Sequence, residues 1–241
     1  MYIDFHSHIL PGIDDGSGST GETVGMLEAE RSQGVSLVCA TPHFYAHRKS
    51  VDQFLERRNA SYQHVKERQG DRLTTLPDIR LGAEVYYFSG MGRAKQLPEL
   101  TLEGTDVILV EMPFEQWDAG VYRDISEILT RQKLKVVLAH VERYVDLQKH
   151  KDIWDEIMEL PLYIQLNAGS FLARGRSRRF CMKTVKERDN VILGSDCHNL
   201  RDRVPNMADA IKVIERKASA AAVEMMQENA CRLLGLSIES R

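Results

Sequence analysis

Residues 1–17 read MYIDFHSHILPGIDDGS. An apolar run from Tyr2 to Phe5 leads directly into His6-Ser7-His8, and a Pro11-Gly12 turn then carries Asp14 and Asp15. Residues two apart in an extended chain point to the same side, so both imidazoles can reach one ion. No glycine-rich phosphate loop follows this first strand, which argues against an open dinucleotide-binding sheet.

Working outward, short apolar and β-branched runs recur at Tyr2 to Phe5, Val35 to Ala40, Ile79 to Val85, Val107 to Val110, Val136 to Ala139, Leu162 to Leu166 and Val191 to Leu193. Stretches of helical period separate them, at Glu22 to Gln33, Val51 to Arg68, Val121 to Gln132, Ile153 to Leu160 and Phe171 to Arg188, with two more at Asn206 to Lys217 and Ala220 to Leu234. Gly70 to Leu81 reads as a long surface connection. Alternating strands and helices predict a parallel α/β sheet, and seven units predict a closed (β/α)7 TIM-like barrel. No repeat, linker or composition shift divides the chain, so one domain over 1–241 is expected.

The strands end in ionisable residues. After the histidine pair come His43 in Ala40-Thr41-Pro42-His43, Glu84 on the third strand, Glu111 on the fourth, His140 on the fifth, and Asp196-Cys197-His198 on the seventh. One such residue alone reads as a cap or loop residue. Recurrence at six of seven predicted strands predicts a shared site, because a parallel barrel gathers these ends on one face. Asp14 or Asp15 can complete it, although Asp-Asp-Gly-Ser before a helix also reads as a turn and N-cap.

Converging carboxylates repel each other unless countercharge is present. Divalent ions supply it. Imidazoles with carboxylates and no thiolate suit Mn(II), Fe(II) or Zn(II), and so many side chains call for two or three ions.

The 241 residues are 43% hydrophobic and 28% charged, which excludes a disordered chain. Their formal charge of -3 excludes a broadly basic, nucleic-acid-coating surface, and three divalent ions would reverse its sign. No apolar segment is long enough for a membrane helix, and Asp4 precedes any basic leader, so a cytoplasmic protein is expected. The four cysteines show no C-x-x-C pair.

The opening HSHILPGIDDGS with CATPHF, GAEVY, LVEMPF, AHVERY and GSDCHNLRDR resembles the polymerase and histidinol phosphatase (PHP) superfamily. Within it, the sequence is most similar to bacterial CpsB-type metal-dependent tyrosine phosphatases of capsule and exopolysaccharide systems. The resemblance covers nearly the whole chain and implies a distorted barrel with a trinuclear site. It implies that His6, His8 and Asp196 hold one ion, that Glu84 bridges to a second held with Glu111 and His140, and that Asp15, His43 and His198 hold a third. Mn(II) is the implied ion, with Fe(II), Zn(II) or Co(II) as alternatives. Arg143 and Arg203 would bind phosphate through their planar forks. The implied partner is a bacterial tyrosine kinase bearing phosphotyrosine on its tail. Neither nucleic acid nor membrane insertion is expected, and a homo-oligomer is allowed.

Other readings compete. Cys197 to Arg203 fits the C-x5-R pattern of thiolate tyrosine phosphatases, but the segment lacks glycines that would let backbone amides surround phosphate. A histidinol-phosphate phosphatase shares the superfamily. A TatD-type nuclease shares the H-x-H start but fits Glu111 and the D-x-H ending less well, and a metal-stabilised binding module would use the cluster for structure alone. Residues 174 to 188 are strongly basic, which reads as a solvated helix face or as an attractor for an acidic tail.

Overall fold

The structure, a computed structural model, describes residues 2–237. Its strands are β1 (Tyr2–Ser7), β2 (Val35–Ala40), β3 (His43–Phe44), β4 (Asp78–Leu81), β5 (Glu84–Tyr86), β6 (Val107–Glu111), β7 (Lys135–Leu138), β8 (Tyr163–Asn167) and β9 (Val191–Gly194). The helices are α1 (Thr20–Ser32), α2 (Val51–Gln69), α3 (Ala119–Thr130), α4 (Asp152–Met158), α5 (Ala168–Leu172), α6 (Arg176–Glu187), α7 (Met207–Lys217) and α8 (Ala220–Leu234). Every strand pairing among the described residues is parallel, as the alternation of elements predicts.

The expected barrel differs in one respect: its ladder is not continuous. A three-stranded sheet, β1-β2-β4, and a six-stranded sheet, β3-β5-β6-β7-β8-β9, share the circuit. The second strand runs Val35–Ala40 as predicted, with Pro42 separating it from the two-residue β3, whereas the third predicted strand breaks at Gly82-Ala83 into β4 and β5. Pro42 has no N–H to give a ladder, and its ring biases the chain before it. Across the seam between β1 and β9, the Asp196 N–H donates to the His6 carbonyl at 2.8 Å and the His8 N–H to the Cys197 carbonyl at 2.9 Å. The seam is therefore stitched by the site residues themselves.

Alternate strand residues feed two apolar clusters. Ile108, Val110, Val136 and Leu138 pack with helix residues such as Leu27, Ile125, Phe171 and Ile211, forming the layer between strands and helices. Ile3, Phe5, Val107, Leu109, Val137 and Ala139 form the other, with Leu233 and Leu234 of α8. Both faces of β6 are thus covered, and burying a side chain such as Phe5 contributes about 1.5–3 kcal/mol.

Local chemistry sets the helix starts. Ser19 accepts from the Glu22 N–H at α1, Ser50 and Gln53 form a reciprocal capping box at α2, and Asp118 accepts from the Gly120 and Val121 amides at α3. The single helix expected over Phe171 to Arg188 is in fact two, because the chain turns extended at Ala173 after α5 and restarts at α6. The connection at Gly70 to Leu81 holds a 3₁₀ turn and β4. No helix among the described residues is long and apolar enough to cross a membrane.

Candidate metal centre

His6, His8, His43, Glu84, Glu111, His140, Asp196, His198 and Asp15 come together at the C-terminal ends of the strands. His6 Nε2 lies 3.1 Å from His8 Nε2, and both lie 3.3 Å from Glu84 Oε2. Asp196 Oδ1 is 3.7 Å from His6 Nε2 and 3.4 Å from His8 Nε2. His140 Nε2 sits 2.7 Å from Glu84 Oε1 and 3.6 Å from Glu111 Oε1. Asp15 Oδ1 is 3.5 Å from Nε2 of both His43 and His198.

His43 spans two neighbourhoods. Its Nε2 faces Asp15, while its Nδ1 lies 2.8 Å from Glu84 Oε2 and 3.7 Å from Glu111 Oε2. Three overlapping sets have donor atoms close enough for one ion each: His6, His8 and Asp196; His8, Asp15, His43 and His198; and His43, Glu84 and Glu111. Sharing His8 and His43 between sets makes this one continuous cluster.

Neighbouring side chains hold the rings in place. Asp14 Oδ2 lies 2.7 Å from His8 Nδ1 and accepts the His43 N–H at 3.0 Å, so the first aspartate of the pair orients two histidines while the second faces the cluster. Gln165 Oε1 lies 3.0 Å from His6 Nδ1 and accepts the His140 N–H, and Asn167 donates to Asp196 Oδ2 at 2.8 Å. The Tyr144 hydroxyl is 3.1 Å from His140 Nδ1 and accepts the Met112 N–H. Sequence reasoning missed Gln165, Asn167 and Tyr144. The available signal was a pair of amides two apart in the otherwise apolar β8, the strand without an assigned ligand.

Close backbone approach fixes the same rings. A Cβ on Gly194 would stand 2.7 Å from His6 Cβ, and one on Gly16 would run into the His8 carbonyl. His140 and Asp196 adopt positive φ, 32° and 53°. Neither has glycine's freedom, so the surrounding contacts hold strained backbone at two site residues.

Arg143 and Arg203 clasp opposite oxygens of Asp196. Arg143 Nη2 donates to Oδ2 at 2.8 Å and Arg203 Nη2 to Oδ1 at 2.9 Å. Both side chains remain about one third exposed, at 38% and 35%, and each fork has further N–H groups that can meet an incoming anion. Phe114, 46% exposed, stacks its ring 6.2 Å from that of His140 at the rim.

The donor atoms suit divalent ions. His43 Nδ1, Glu84 Oε2, Glu111 Oε2 and His198 Nε2 are buried without a hydrogen bond, although several lie within 4 Å of one another. Buried polar atoms normally find partners, and atoms aimed at shared space rather than at each other suit a ligand set. Donors held about 2.0–2.1 Å from a common ion stand roughly 3 Å apart, which the 3.1–3.7 Å separations around His6 and His8 match.

The charge pattern without ions points the same way. Burial pushes Glu111 up to about 7, reinforced by the Glu84 carboxylate beside it. Burial also opposes charge on Glu84, but His6 and its hydrogen-bonding histidines hold it well below the usual carboxylate range. His6 is likewise pulled down by burial, then raised above its ordinary value by Glu84 and Asp196. Glu111 is therefore readily protonated near and below neutral pH, and an ion would displace that proton.

Cys197 does not face this cluster. It is fully buried, burial and the carboxylates of Glu30 and Asp4 push its thiol well up, and its Sγ lies 3.9 Å from Glu30 Oε1. A nucleophilic thiolate needs the opposite surroundings, so the structure overturns the C-x5-R reading. Arg176 of the basic segment reaches Asp146 at 3.4 Å, placing the start of α6 beside the loop that follows Arg143.

Tyrosine-protein phosphatase CpsB of Streptococcus agalactiae is 29% identical over 247 aligned residues, covering 96% of this chain and 98% of that protein. Tyrosine-protein phosphatase YwqE of Bacillus subtilis is 28% identical, covering 96% and 91%. A solved structure from work on YwqE of Bacillus subtilis and CpsB of Streptococcus pneumoniae, described as metal-dependent tyrosine phosphatases, superposes with a TM-score of 0.81 at 24% identity over 99% of this chain and 97% of that one, which shows a shared fold. The sequence model of the family described as capsular polysaccharide synthesis, CpsB/CapC, matches residues 2–235, and the chain belongs to that family.

Proposed function

We propose that this chain is a metal-dependent protein-tyrosine phosphatase that works as a single domain over residues 1–241. Membership of a family whose relatives carry that name supports the reaction. The observation that carries it is the cluster of buried donors with unpaired atoms, rimmed by two arginine forks.

In this reading His6, His8 and Asp196 would hold one ion, Glu84 would be shared between it and a second that Glu111 and His140 would also hold, and Asp15, His43 and His198 would hold a third. His43 Nδ1, turned to Glu84 and Glu111, also favours a shared role between the second and third positions. Manganese is the expected metal. When bound, such ions withdraw charge from phosphoryl oxygens and make water a stronger nucleophile at neutral pH.

The remaining work falls to the protein. Arg143 and Arg203 present N–H groups that neutralise charge on the equatorial phosphoryl oxygens as the ester bond breaks. Both are held by Asp196, so each fork is oriented before substrate arrives. Asp14, Gln165 and Tyr144 keep the imidazoles turned to the cluster. Tyrosinate has a free pKa near roughly 10 and leaves more readily than an alkoxide, so the reaction needs no dedicated general acid. Phe114 offers an aromatic face to the leaving group.

The partner proposed is the phosphotyrosine-bearing tail of a bacterial tyrosine kinase in polysaccharide synthesis, met in the cytoplasm. The test is a side-by-side assay with Mn(II) of a phosphotyrosine peptide, histidinol phosphate and single-stranded DNA. The peptide should be turned over most efficiently. Preference for histidinol phosphate or DNA would replace this substrate with the other.

A further inference from the structure

A cleft of about 320 Å³ opens from the metal cluster along the loop between β3 and α2. Asp15 and His43 form one end, Phe44 and Phe54 its apolar floor, and Arg48 and Lys49 the other end. The floor rings meet edge to face at 5.3 Å and are almost fully buried, so the cleft has a firm base. Tyr45 connects the two ends: its ring lies 5.3 Å from that of His43, and the Arg48 guanidinium sits 4.6 Å above it.

The cations here lack carboxylate partners. Neither Arg48 nor Lys49 makes an ion pair among the described residues, whereas the two arginines at the rim of the cluster, Arg143 and Arg203, both do. Arg57 of α2 lies close by and donates to the Gly12 carbonyl at 3.4 Å. Slight burial and then repulsion from Arg57 and Arg48 lower the Lys49 ammonium despite the opposing pull of the Asp14 carboxylate, so positive charge outweighs negative at this wall. Positive charge left unpaired beside a site for a phosphomonoester favours a substrate that brings more negative charge.

We propose that this cleft is a subsite for acidic side chains, Asp or Glu, flanking the phosphotyrosine of a peptide substrate. The proposal rests on the phosphatase reading. The phosphotyrosine enters the cluster beneath Arg143 and Arg203, and the adjoining chain runs over the Phe44 and Phe54 floor so that its carboxylates meet Arg48 and Lys49. A free small phosphomonoester gains nothing from this wall, so the cleft selects for acidic protein segments.

The experiment compares two phosphotyrosine peptides, one with Glu and one with Gln at the flanking positions, on the Mn-loaded protein and its R48E/K49E variant. Both positions are at the surface, and circular dichroism confirms the fold. The ratio of kcat/KM for the acidic over the neutral peptide should be about fivefold in the parent at low salt, shrink with added salt, and fall to one or below in the variant. An unchanged ratio in the variant overturns the subsite and leaves the phosphatase reading intact. A second arm measures binding of the same peptides carrying a non-hydrolysable phosphonate. If no phosphate is released but the parent prefers the acidic phosphonate and the variant does not, the subsite stands and the phosphatase reading fails. No preference in either arm refutes the subsite.

Discussion

Asp14 Oδ2 lies 2.7 Å from His8 Nδ1, which turns His8 Nε2 toward His6, Glu84 and Asp196. Burial opposes charge on Asp14, but His8 and the amides of Gly16 and His43 hold its carboxyl at about 2. Asp14 thus stays ionised across the working range and acts on the cluster through the ring it orients. Replacing it with Asn should keep the fold by circular dichroism and weaken Mn(II) binding by about 10- to 100-fold in calorimetric titration. An Asp14→Asn protein that binds Mn(II) as tightly as the parent would remove Asp14 from this role.

Metal binding should depend on pH through Glu111. Its folded pKa is raised to about 7, so the carboxyl is mostly protonated at pH 6 and mostly ionised at pH 8 in the metal-free protein. An ion needs the ionised form, and the raised imidazoles of His6 and His8 act in the same direction. Apparent affinity should rise at least about tenfold from pH 6 to pH 8, with proton release on binding. A flat profile would mean that Glu111 is no ligand.

The two arginines should respond to loss of fork geometry. In Arg143→Lys and Arg203→Lys the charge remains but the planar pair of donors does not. Steady-state kinetics on a phosphotyrosine peptide should show kcat/KM lower by about 100-fold in each, with metal content unchanged by elemental analysis. Loss of metal together with activity would assign the arginines to holding Asp196 alone.

Phe114 tests preference for an aryl ester. Truncation to Ala removes an exposed ring beside His140 and should raise KM for phosphotyrosine by about two- to tenfold while sparing an alkyl phosphomonoester. Equal losses on both would show that Phe114 only packs against the site.

Cys197→Ser separates packing from catalysis. The hydroxyl would replace a fully buried thiol and should cost about 1–3 kcal/mol, seen as a melting temperature lower by several degrees. Metal-dependent turnover should persist. Abolished turnover with full metal content would restore the thiolate mechanism.

The residues of the cluster were legible because strand chemistry exposes them. His6 and His8 are two apart on an extended run, and His43, Glu84, Glu111, His140, Asp196 and His198 each punctuate an apolar strand whose direction a parallel fold dictates. Asp14 and Asp15 were harder, since adjacent turn residues diverge by amounts that only coordinates supply. Gln165 and Asn167 carry no charge, and Tyr144 lies four residues past His140 on a 3₁₀ turn, so their aim depends on tertiary packing. The break at Gly82 escaped periodicity because apolar residues continue on both sides of it.

The proposed phosphatase reaction at this cluster depends on bound metal. Phosphate release from a phosphotyrosine peptide should be measured on protein stripped by chelation, with residual metal quantified by elemental analysis, and again after Mn(II) is restored. Turnover should be lost in the stripped protein and recovered on reconstitution; full turnover by protein verified to be metal-free would rule out a metal-dependent reaction.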